Sequence, residues 1–159
     1  MSDPSPIGLF NYAHSFWSAG RALIQLDWEK QESHPDSPAE FLYWHSIELF
    51  LKAYLLADGV PLSKLRSPKI FGHDLSKLLT QAKARGLALT RKDEALISFM
   101  PVSKDMIALR YLKVGVKTVP THCELEATCL SLYEIVAREL QNRGINIGFH
   151  AKLVSLERG

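Results

Sequence analysis

Three ionisable residues on one short stretch carry the most chemical information in this chain. At about 100° per residue in a helix, His45, Glu48 and Lys52 fall within roughly 60° of one another. They would line one stripe of an otherwise apolar segment. A carboxylate and an ammonium in such surroundings are costly unless paired. One reading is an i,i+4 Glu48–Lys52 ion pair at a bundle surface, with His45 satisfied nearby. The other is a polar site facing a groove. Further on, Gly72-His73-Asp74 precedes a helical stretch. Asp74 suits an N-cap, whereas His73 is not needed for capping and would stand where anions are favoured. Arg110-Tyr111 offers a guanidinium fork for phosphate and a ring for a base. Arg110 could equally close an ion pair with Glu48.

Helices must position these residues, because apolar spacing is helical almost throughout. A first helix is predicted from about Pro6 to Glu32, with Phe10, Ala13, Trp17, Gly20, Ile24 and Trp28 on one stripe. The stretch 33–38 breaks it. A second runs from Pro38 to Ala57 or Asp58 and is apolar on nearly every side, which places it at the bundle centre. Gly59 ends it, and Val60–Phe71 reads as a loop with two prolines. A third helix starts at His73 or Asp74, carries Leu75, Leu78, Leu79 and Ala82 inward, and stops at Gly86. Thr90 with Asp93 opens a fourth, which Pro101 breaks after Met100 and which resumes over Met106–Tyr111. Val114–Val119 reads as an extended linker. Thr121 with Glu124 opens the fifth, whose stripe is Leu125, Cys129, Leu132, Val136 and Leu140. The expected fold is all-α: a five-helix, mostly antiparallel, up-and-down bundle. It forms one domain over residues 1–159, with its core at about 6–144 and a tail at 145–159.

Composition narrows the function classes. The 159 residues suit one domain, and 47% hydrophobic content supplies a sizeable core. Nineteen basic against 17 acidic residues leave a formal charge of +2, too little for an electrostatic wrap around duplex nucleic acid. Cys123 and Cys129 lie six apart, on different helix faces, so they are not expected to pair. Reduced thiols, no signal-like N-terminus and no membrane-length apolar run point to a cytoplasmic protein. No cluster has ligand spacing, so neither a metal nor a cofactor is expected. Phe10, Phe16, Trp17, Trp28, Tyr43 and Trp44 exceed what one small bundle needs inside, and on that ground a homodimer through helices is expected.

The string HSIELFLKAYLLADGV, then GHDLSKLL, then a late LRY, resembles the HEPN family of helical domains. The resemblance spans about Phe10 to Leu140. Its anchors here are Ser46, Glu48, Lys52, Ala53, Gly72, His73, Asp74, Leu75, Arg110 and Tyr111. It implies a helical bundle, usually dimeric, associated with RNA or nucleotide, often in toxin–antitoxin or defence modules. Many members are metal-independent ribonucleases, whereas others dock on small nucleotidyltransferases as non-catalytic interaction modules. The nuclease members carry an arginine, a polar residue after it, and a histidine four to six residues beyond. This chain departs from that pattern. Arg66–His73 and Arg143–His150 have the spacing, but only Ser67 follows as a polar residue, and the next histidine after Arg110 is His122. Catalysis is therefore not carried over by the resemblance. The expected RNA- or nucleotide-binding residues are His45, Glu48, Lys52, His73, Arg110 and Tyr111, converging on one cleft.

Overall fold

Ser5 starts the first helix: its hydroxyl accepts from the Gly8 amide at 3.1 Å, and Pro6 occupies the first turn, where its missing N–H costs nothing. The computed structural model describes residues 3–26, 36–99 and 120–148, and all six helices among them are α-helical segments of one bundle. They are α1 (Pro6–Gln25), α2 (Asp36–Ala57), α3 (Leu62–Arg66), α4 (Leu75–Ala84), α5 (Arg91–Phe99) and α6 (His122–Asn142). The expected first helix to Glu32 therefore stops at Gln25. The expected loop at Val60–Phe71 contains the short α3, which buries Leu65 completely. The resumed helix at Met106–Tyr111, the linker at 114–119 and most of the tail lie outside the described residues.

The second helix is central, as its all-round apolarity predicts. It packs against α1, α3, α4 and α6. Ile47, Phe50, Leu51, Ala53 and Leu55 are fully buried. Its approach to α1 is close at Gly20, where an added Cβ would meet the Tyr43 ring at 3.3 Å and the Ala39 carbonyl at 3.4 Å. Phe10 from α1 packs edge-on to Phe50 at 5.5 Å and stacks on Tyr133 of α6 at 5.1 Å. Burial of each such side chain contributes roughly 1.5–3 kcal/mol.

Three carboxylates, Asp93 buried and Glu126 and Asp58 half-buried, tie the helices together. Glu126 on α6 accepts from Trp17 Nε1 at 2.8 Å, from the Tyr43 hydroxyl at 2.9 Å, and from Arg21. Burial first, and then that carboxylate, push the Tyr43 phenol well above its usual range. At the other end of α2, Asp58 accepts from Arg85 at 2.7 Å and Arg143 at 3.0 Å, linking the ends of α2, α4 and α6. Asp93 accepts from Thr90 at 2.6 Å, Thr128 at 3.0 Å and Ser131 at 2.8 Å, fastening α5 to α6. The capping box at Thr121 and Glu124 forms as its spacing predicts, with Thr121 N donating to Glu124 at 2.8 Å and Glu124 N to Thr121 at 3.3 Å.

The homodimer expectation loses its compositional ground. Phe10, Trp17, Tyr43 and Trp44 are at most 3% exposed within the single chain, so the bundle does use them inside. Trp28 lies outside the described residues, and of the six aromatics only Phe16 is seen part-exposed.

Candidate functional site

Glu48 sits halfway along α2 with its side chain only 1% exposed. An ionised carboxylate can only accept hydrogen bonds, so every partner must be a donor. Lys52, one turn on, supplies Nζ at 2.6 Å from Oε1. His73 supplies Nδ1 at 3.0 Å from Oε1 and 3.1 Å from Oε2. His45 Nδ1 stands 3.9 Å from Oε2, within ion-pair reach but beyond a hydrogen bond. One carboxylate thus gathers a lysine and two imidazoles.

Local structure explains each placement. Lys52 follows Glu48 by one helical turn, the spacing at which an acid and a base meet on a helix. His73 arrives from 25 residues away because Gly72 turns the chain. Gly72 has φ +52°, and an added Cβ would meet the Pro68 Cα at 3.0 Å, so only glycine fits. Asp74 then caps α4, accepting from the Lys77 amide at 3.1 Å. His73 is left as the last residue before the cap, its Nδ1 against Glu48 and its side chain 61% exposed. Since the carboxylate holds Nδ1 as a donor, Nε2 is the atom His73 presents to a ligand. It accepts a proton when neutral and donates one as imidazolium.

This carboxylate differs from the other three. Glu126, Asp58 and Asp93 are satisfied by arginines, hydroxyls and an indole. Glu48 is the buried acid held by imidazoles, one of them largely open to solvent. A purely structural staple has no need of an exposed histidine.

An aromatic strip adjoins the cluster. Phe16 meets His45 edge-on at 4.4 Å, Phe41 stacks parallel to it at 6.0 Å, and Tyr12 tilts against Phe16 at 6.4 Å. Tyr12 and Phe41 were not singled out from sequence as site residues. Their i,i+4 spacings to Phe16 and His45 were the available signal.

Of the six expected site residues, His45, Glu48, Lys52 and His73 come together, while Arg110 and Tyr111 lie outside the described residues. The two arginines with nuclease-like spacing are engaged elsewhere: Arg66 pairs with Asp3 at 3.4 Å, and Arg143 with Asp58 and Glu139. A cavity of about 880 Å³ between α5 and α6 is lined by Asp93, Phe99, Pro120, Thr128 and Ser131 among others. Phe99 and Pro120 are also the ends of the undescribed stretch 100–119, and a space so bounded is no sign of a ligand site. Among the described residues no group of three or more His, Cys, Asp or Glu side chains is arranged to hold a metal ion, and no helix is long and apolar enough to cross a membrane. Compared with known proteins, the chain matches no family model, no curated protein and no solved structure.

Proposed function

We propose that this is a HEPN-like, mostly antiparallel helical domain that binds the phosphate of RNA or a nucleotide at the cluster of His45, Lys52 and His73 around Glu48. The observation that supports it is the exposed His73 held through Nδ1 by a buried carboxylate. Such a contact fixes both tautomer and ring direction, the arrangement used wherever an imidazole must meet a ligand reproducibly. Lys52 offsets the Glu48 charge, so the carboxylate behind His73 does not repel an anion at the mouth of the site. A phosphate monoanion or diester then finds N–H donors aimed outward. Resemblance in sequence supplies RNA or nucleotide as the phosphate carrier, and with it a toxin–antitoxin or defence setting and the homodimer.

The test is binding of a short single-stranded RNA to the parent chain and to His73→Ala. The variant should bind about tenfold more weakly, with the fold intact because the ring is mostly exposed. Absence of binding to RNA and to nucleotides rejects the reading.

A further inference from the structure

Two pairs of rings, each spaced i,i+4 on its own helix, meet at the edge of the Glu48 cluster. On α1 they are Tyr12 and Phe16, and on α2 Phe41 and His45. The Phe16–His45 contact at 4.4 Å joins the pairs into one strip. His45 belongs to both assemblies, since its ring lies in the strip and its Nδ1 faces Glu48. At the outer end Tyr12 is 66% exposed. Tyr12 fills no part of the core, whereas Phe16 and Phe41 are half-buried and pack against it, so Tyr12 is the ring of the strip most open to a ligand.

We propose that Tyr12, Phe16 and Phe41 form a stacking platform for an unpaired base whose phosphate lies on the His45–Lys52–His73 cluster, which makes the ligand a nucleotide or single-stranded RNA. The proposal rests on the phosphate-site reading and adds the base subsite to it. Charge favours this ligand over a duplex. With a formal charge of +2 the chain gains little from counterion release along a duplex, so contacts to a base must add to those made to the phosphate. Ring-on-base stacking is such a contact, and it is accessible only when the base is out of a helix. His45, in contact with Phe16 and facing Glu48, joins the two halves of the site.

Three probes separate the halves: ribose 5-phosphate, adenosine and adenosine 5′-monophosphate, titrated calorimetrically into the whole chain and into Tyr12→Ala and Phe16→Leu. Adenosine monophosphate should bind about tenfold or more tightly than ribose 5-phosphate. Tyr12→Ala should erase most of that gain while ribose 5-phosphate binds as before, and circular dichroism should show the variant folded. Phe16→Leu, which keeps an apolar side chain and removes the ring, should lose part of it. Equal binding of the two phosphates overturns the platform and leaves the phosphate site standing. Adenosine binding that Tyr12→Ala abolishes, without ribose 5-phosphate binding, upholds the platform and removes the phosphate site. If none of the three binds, both fall.

Discussion

Glu48 and Lys52 are nearly sealed from solvent, with side chains 1% and 11% exposed. Removing one partner strands the other. Glu48→Gln keeps the shape, loses the charge, and should lower the unfolding free energy by about 2–4 kcal/mol in a urea titration. Adding Lys52→Met to that background should recover a good part of the loss, because it removes the ammonium that Glu48→Gln leaves buried without a counter-charge. If Glu48→Gln leaves the urea midpoint where it was, the carboxylate is not holding α2 to the His73 turn. The double variant also separates roles: it should restore stability without restoring RNA binding, since a neutral amide oxygen orients His73 less firmly than a carboxylate and Lys52 is gone from the cluster.

At the level of elements, the ends of α2, α4 and α6 converge on Asp58. Arg85 first and Arg143 second hold the Asp58 carboxyl below its usual range. In return Glu139 and then Asp58 push the Arg143 guanidinium still higher, so it is charged at any working pH. The folded chain therefore binds the Asp58 proton less readily than the unfolded chain does. Its contribution is complete above the unfolded pKa of about 3.9 and is lost as pH falls through the lower folded value. Asp58→Asn should cost about 1–2 kcal/mol near neutrality, a figure kept modest because the groups are partly solvated. At pH about 3, below the unfolded pKa, the deficit of the variant should be smaller than near neutrality. An equal deficit at both pH values would show that the loss is one of packing and not of charge.

Across the whole molecule, one apolar cluster takes members from all six described helices, including Leu65 of α3 and Ile97 of α5. Such a core should open as a unit. Cys129 reports on it: the side chain is fully buried, and burial pushes its thiol far above the usual range. Cys123, six residues earlier, is exposed. A disulfide reagent should therefore titrate one of the two thiols in the native chain. The second should appear only across the urea transition in which Trp17 and Trp44 lose their buried fluorescence. Reaction of Cys129 well below that midpoint would mean that α6 detaches locally.

Much of the helical framework was legible in the residues themselves. Gly59, Gly86 and Gly144 mark the ends of α2, α4 and α6, all at positive φ, and Asp74 and Thr121 mark starts, because capping and reversal are settled within a turn. The Glu48–Lys52 pair was legible for the same reason, as was the burial of α2. The loop at 60–71 concealed α3, because five residues are too few to show a period. Spacing by itself determined which residues share a face of a helix. Tertiary structure decided which faces meet: His73 against Glu48 across 25 residues, Phe16 against His45, and Glu126 among Trp17, Arg21 and Tyr43. Those contacts depend on how helices are rotated and offset against one another, and no single segment's periodicity encodes that.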